Sequence, residues 1–273
     1  MGKFDGKVAF ITGAARGMGR DHAIRLAESG ADIIAVDLCE QIDTVAYPMS
    51  TPEDLEQTVD EVQSRGRRIV HRQADVRDFQ ALQSVTQEGL SAFGSIDIVI
   101  ANAGIAPQGS PEPDIAQTFR DVVEVNLFGT WNTVQAAAPA MIEQGRGGSI
   151  VLISSTQGLS GVGGTGSGAS SGYASSKHGV VGLMRSFTHW LAPHSIRVNS
   201  VHPTGVLTPM IVNEHMQTFL AKNPDVAKGM QNLLPVPALE SADIVNAVAW
   251  LVSDEARFLT GVALPVDAGF SAR

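Results

Sequence analysis

Cysteine is almost absent: Cys39 stands alone. A single thiol cannot close an intrachain disulfide, and such usage fits a reducing compartment. No apolar run approaches the roughly 20 residues of a membrane-spanning helix. The opening "MGKFDGKVAFITG" has no stretch resembling a signal peptide. Lys and Arg are scattered, and the formal net charge is −9, which disfavours binding along a nucleic-acid backbone. The seven His residues show no HExxH or other metal-ligand spacing, so no metal is expected. These absences describe a soluble, cytoplasmic protein without nucleic-acid or membrane partners.

What is present is a chain of 273 residues, 44% apolar and 17% charged, enough to bury a substantial core. Seven short Val/Ile-rich runs recur: "KVAFIT", "ADIIAVD", "RRIVHRQ", "IDIVIAN", "GSIVLIS", "IRVNSVH" and "GVALPVD". Segments with helical spacing separate them, and this alternation predicts βαβ crossovers. The expected fold is therefore α/β: one doubly wound Rossmann domain over residues 1–273, with a seven-stranded parallel sheet and helices on both faces. Two stretches break the alternation. Residues 38–52 form an insertion after the second strand, ending where Thr51 and Pro52 suit a helix start. Residues 207–237, rich in Met and Leu, lie where such folds place a substrate lid.

"ITGAARGMGRD" follows the first strand and opens a helix. Gly13, Gly17 and Gly19 permit a tight turn and close approach of a pyrophosphate to the helix N-terminus. Asp37 ends the second strand, where a carboxylate accepts hydrogen bonds from ribose hydroxyls and repels a 2′-phosphate. Arg16 argues the other way, as a partner for that phosphate or as a plain loop charge. The electrostatic balance favours NAD over NADP.

Tyr173 and Lys177 are four residues apart and share a helix face. An ammonium lowers the pKa of a neighbouring phenol, and the pair then exchanges a proton with a substrate oxygen. The competing reading is a packing pair with a solvated amine. Ser154 and Ser155 end the preceding strand, and Ser155 lies where a crossover brings it near Tyr173. Asn126 sits in an otherwise apolar helical stretch, so a backbone kink or a water is expected there. The run "GLSGVGGTGSGASSG" between Ser155 and Tyr173 has the composition of a linker, yet no strands remain for a second domain.

In combination these residues resemble the short-chain dehydrogenase/reductase family across essentially the whole chain. "TGAARGMG", "ADV" at 74–76, "NAG" at 102–104 and "HPTGVLTPM" match its motifs in order. The resemblance implies a catalytic tetrad of Asn126, Ser155, Tyr173 and Lys177. Tyr173 would be the acid/base, Lys177 would tune it and hold a ribose, Ser155 would position the oxygen, and Asn126 would anchor a relay water. It implies cofactor contacts at Gly13, Arg16, Gly17, Met18, Gly19, Asp37, Leu38, Asp75, Val76, Asn102, Ala103, Gly104, Tyr173, Lys177, Pro203, Val206 and Thr208.

The long segment 38–68, with "NLLPVPALESADI", resembles the mycofactocin-coupled, carveol-dehydrogenase-like branch. That implies tightly held NAD, electron transfer to a mycofactocin acceptor, an apolar alcohol or ketone such as carveol, and a homotetramer. The insertion would then cover the adenosine end, or else be a surface elaboration or subunit contact. The glycine-rich run, longer than the family's usual spacing, would be a mobile wall of the substrate site. The rival expectations are an NADPH-linked carbonyl or 3-oxoacyl reductase and a non-catalytic nucleotide sensor. Cys39 is expected to be an inert buried thiol and His202 a structural or supporting residue. Met210, Met216 and Met230 would line an apolar pocket or pack the lid.

Overall fold

A computed structural model describes residues 2–272. The strands are β1 (Val8–Thr12), β2 (Asp32–Asp37), β3 (Ile69–Gln73), β4 (Ile98–Ala101), β5 (Gly148–Ile153), β6 (Ile196–Pro203) and β7 (Ala263–Val266). All seven expected runs form strands. They pair in parallel in the order β3-β2-β1-β4-β5-β6-β7. The Val/Ile content follows from burial on both faces: every residue of β1, β2 and β4 is buried, whereas edge strand β3 is partly exposed.

Successive side chains of a strand feed opposite sides of the sheet. Phe10 joins Ile34, Val99 and Met141 in one core, and Ile11 joins Ile33, Ile100 and Leu251 in the other. Helices α1 (Gly17–Glu28), α2 (Pro52–Ser64) and α9 (Ser241–Leu251) contribute to the second core. Helices α3 (Phe79–Phe93), α4 (Ile115–Val123), α5 (Gly129–Gln144) and α6 (Gly168–Leu191) contribute to the first.

The chain leaves β1 toward one sheet edge and returns at β4 toward the other. The carboxyl ends of β1 and β4 therefore border a switch-point crevice, the usual ligand position in open α/β sheets. The insertion 38–52 and the excursion 207–237 both rise from this end of the sheet. The excursion carries α7 (Glu214–Lys222) and α8 (Pro224–Gly229). Its base is closed by hydrogen bonds from Leu239 N to the Gly205 carbonyl (2.8 Å) and from Leu207 N to the Leu239 carbonyl (2.9 Å).

Candidate active site

The glycine turn is built from close approach. Gly13 has φ 67° and Gly17 φ 56°. A Cβ on Gly13 would lie 2.8 Å from Ala103 Cα, and one on Gly19 would run into the Gly13 carbonyl oxygen. Gly19 thus packs beneath the turn rather than lining the crevice. The first turn of α1 has no capping side chain and no acidic residue, so its amides remain available to an anion.

A cavity of about 140 Å³ opens above this turn. Gly13, Arg16, Gly17 and Met18 line it from the loop, and Asp37 and Leu38 from the end of β2. Asp75 and Val76 line it beyond β3, Asn102, Ala103 and Gly104 beyond β4, and Thr208 from the lid. Of the other expected cofactor contacts, Pro203 ends β6 and Val206 bridges to Leu239; both are buried and neither lines this cavity.

Asp37 accepts hydrogen bonds from Ala15 N (2.9 Å), Cys39 N (3.2 Å) and Ser50 Oγ (2.6 Å). These are neutral donors, and a carboxylate retains acceptor capacity for ribose hydroxyls. Arg16 donates instead to the Pro48 carbonyl at 2.7 Å. Asp75 is held by Arg77, whose Nη2 lies 2.6 Å from its Oδ2. The uncapped helix start, the glycine turn and Asp37 fit the dinucleotide expected from the sequence.

The insertion forms a wall of this cavity through Ile42, Tyr47, Met49 and Ser50. Sequence reasoning named the segment but none of these residues. Tyr47 is buried, and its hydroxyl accepts from Ala106 N at 3.2 Å. Burial pushes its phenol up to about 12. Cys39 is likewise pushed up to about 12 by burial, with the neighbouring Asp37 adding to the shift, which makes it the inert thiol expected.

Asn126 lies in a π-turn (Glu124–Phe128) between α4 and α5, a local departure from regular α-helix. Its carboxamide clamps the Ile105 backbone: Oδ1 accepts from Ile105 N (2.8 Å) and Nδ2 donates to the Ile105 carbonyl (2.9 Å). Lys177 is buried, and its ammonium donates to the Ile153 carbonyl at 2.9 Å. A Cβ on Gly104 would meet Asn126 Oδ1 at 3.2 Å and Lys177 Nζ at 3.5 Å, so the two side chains converge on this glycine.

Lys177 Nζ sits 5.6 Å from the Tyr173 ring centroid. Burial depresses the ammonium to about 8. Burial also raises the Tyr173 phenol, while the Ser155 hydroxyl draws it back down. The sequence-based expectation was a phenol lowered by Lys177. In the folded chain burial raises it instead, and the opposing influence is the Ser155 hydroxyl; periodicity could not register that burial.

Ser155 and Tyr173 line a second cavity of about 540 Å³, walled by the lid. Among the described residues no charged side chain lines it; Met210, Met216, Phe219 and Met230 contribute apolar surface. Met210 borders both cavities. His202 is fully buried behind the site. Its Nδ1–H donates to the Ser155 carbonyl (2.8 Å), and Nε2 faces the Ser200 hydroxyl (2.8 Å). Burial lowers its pKa, so the imidazole is neutral and supports the Ser155 backbone.

The glycine-rich run divides in two. Residues 159–167 form open turns, with Gly163 lining the substrate-side cavity. Helix α6 begins at Gly168, inside the glycine-rich run. Ser167 caps it by accepting from Ser170 N (3.0 Å), and the Glu112 carboxylate accepts from Gly168 N and Ala169 N (2.9 and 2.8 Å). A Cβ on Gly168 would strike the Ile115 carbonyl of α4. Its small size therefore serves helix packing.

Residues 7–218 match the short chain dehydrogenase family model. The chain is 58% identical to an uncharacterised oxidoreductase of Mycobacterium tuberculosis, covering 97% of this chain and 96% of that protein. It is 46% identical to a (-)-trans-carveol dehydrogenase of Rhodococcus erythropolis, covering 98% and 99%. A crystal structure of carveol dehydrogenase from Mycobacterium avium in complex with NAD superposes with a TM-score of 0.91 at 48% identity, covering all of both chains. The chain belongs to the short-chain dehydrogenase/reductase family, within its carveol-dehydrogenase-like branch.

Proposed function

We propose that the chain is an NAD-dependent oxidoreductase that interconverts a neutral, largely apolar secondary alcohol and its ketone, of terpenoid type such as carveol. The observation that carries this reading is the uncharged cavity where Ser155 and Tyr173 meet, adjoining the glycine-turn crevice at Met210. NAD, when bound, supplies the nicotinamide carbon that exchanges hydride. Ser155 holds the substrate oxygen. Tyr173 takes its proton in the oxidation direction and returns it in reduction. The buried Lys177 ammonium stabilises the phenolate that results.

Asp37 and the diversion of Arg16 to Pro48 support NAD over NADP. An acyl-carrier thioester would bring phosphate, for which the substrate-side lining offers no cation among the described residues. A nucleotide sensor would need no Tyr173 beside Ser155. The wall formed by Tyr47 and Ser50 supports slow NAD exchange, with mycofactocin as the proposed electron acceptor. Exposed Ile115, Phe119 and Phe128 around α4 support a proposed homotetramer.

Denaturing the purified protein should release stoichiometric NAD, identified by mass spectrometry, while dialysis of native protein should remove little. Turnover of carveol with an artificial acceptor should fall by about 10²–10⁴-fold in Tyr173→Phe, the usual weight of a positioned acid/base. A variant with near-wild-type turnover would defeat the catalytic assignment.

A further inference from the structure

One polar side chain of the substrate-side cavity stands apart from the others. Thr204 donates to Asn232 Oδ1 (2.8 Å), and Asn232 donates onward to the Val236 carbonyl (2.9 Å). Gln157 Nε2 donates to the Val162 carbonyl, and the Ser170 hydroxyl contacts Thr165 and Ser167. Gln231 is exposed to solvent. Gln108 lines the same cavity, is half-buried, and among the described residues makes no hydrogen bond; its Oε1 is fully buried without a partner. Exchanging the amide nitrogen and oxygen leaves one end equally bare. Burying an unpaired amide oxygen is destabilising, so its persistence calls for a partner the chain itself does not supply.

The backbone under Gln108 is fixed from both sides. Ser110 N bonds the Pro107 carbonyl (2.9 Å), and Gly109 has φ 83°, which makes Gln108 the second residue of a type II turn. A Cβ on Gly109 would strike the His215 carbonyl on α7, so the turn lies tight against the lid. The Ser110 hydroxyl accepts from Ala46 N of the insertion at 3.1 Å. The carboxamide is thus presented on a rigid turn to the cavity that holds Ser155 and Tyr173. A carboxamide both donates and accepts without charge, and the uncharged lining excludes a carboxylate or phosphate as the favoured occupant.

We propose that Gln108 is a specificity-determining residue whose carboxamide receives a second neutral oxygen of the substrate, which makes the preferred substrate class a diol or hydroxyketone rather than a simple alcohol. This rests on the oxidoreductase reading above and narrows its substrate. A site built to hydrogen-bond a substrate hydroxyl discriminates against the analogue that lacks it, because its own polar group is then left unpaired.

The test compares menthol with menthane diols carrying one added hydroxyl at each accessible ring or side-chain carbon. The NAD-loaded wild type, Gln108→Leu and Gln108→Asn are each assayed for kcat/KM and for melting-temperature shift on ligand addition. Wild type should favour at least one diol by about tenfold, mainly through KM, and that diol should raise its melting temperature more than menthol does. Gln108→Leu should lose both preferences. Gln108→Asn, shorter by one methylene, should keep only part of them. Menthol turnover without any diol preference in wild type, or a preference that survives in Gln108→Leu, overturns the Gln108 proposal alone. Failure to turn over any alcohol, with no NAD released on denaturation, overturns the oxidoreductase reading instead.

Discussion

At the scale of single residues, steric exclusion and desolvation divide the work. Gly19 is fixed by sterics: a methyl group there would collide with the Gly13 carbonyl and approach Asn102 Nδ2 at 2.8 Å. Gly19→Ala should therefore displace the turn, at a stability cost of about 1–3 kcal/mol typical of overpacking. NAD retention should fall at least tenfold, read by the NAD content of freshly purified protein. Retention equal to wild type would show that the turn tolerates the shift. Tyr173 and Lys177 were legible in the sequence because spacing alone puts them on one helix face. Their protonation was not legible, because it depends on burial by distant segments. Glu112 was invisible for the same reason: it serves the start of α6 from 56 residues away.

At the scale of elements, the strands were legible because parallel strands buried on both faces must be runs of Val, Ile and Ala. The start of α2 was legible from chemistry: Thr51 accepts from Asp54 N (3.3 Å), and Asp54 accepts from Thr51 N (2.9 Å), forming a capping box. The path of the insertion was not legible, because side chain–backbone bonds without periodicity shape it. Gln41 Nε2 donates to the Val45 carbonyl (2.5 Å) while its Oε1 accepts from Met49 N (3.1 Å). Ser50 then ties the segment to Asp37. A hydrogen bond to a carboxylate contributes about 1.5–3 kcal/mol. Ser50→Ala should therefore loosen this wall and speed NAD release by at least roughly tenfold, measured by isotope-labelled NAD exchange. An unchanged exchange rate would place the retaining contacts elsewhere.

At the scale of the whole molecule, buried titratable groups set how stability depends on pH. Burial lowers His22 from 6.5 to about 3, and its Nε2 is buried without a partner among the described residues. Between those values the unfolded chain binds a proton that the folded chain refuses, so stability falls as pH drops below 6.5. Lys177, lowered from 10.5 to about 8, acts with the same sign: stability rises with pH from about 8 toward 10.5. Cys39 and Tyr47 oppose it. Each is raised to about 12, from 9.0 and 10.0, so the unfolded chain loses those protons first and stability falls above pH 9. The gain from Lys177 and the loss from Cys39 overlap and offset each other between 9 and 10.5. Stability should therefore rise from about pH 8 to 9 and reach its maximum between about pH 9 and 10, with a long acid limb. His22 alone should account for about 2 kcal/mol of loss by pH 5, at 1.36 kcal/mol per pH unit below 6.5. His22→Leu removes this base without breaking a hydrogen bond at Nε2. In urea denaturation at pH 5 and pH 7.5, the variant should lose about 2 kcal/mol less than wild type between the two conditions. Identical losses in the two proteins would mean that His22 takes up its proton in the folded state as readily as in the unfolded chain, and the acid limb would then belong to other groups.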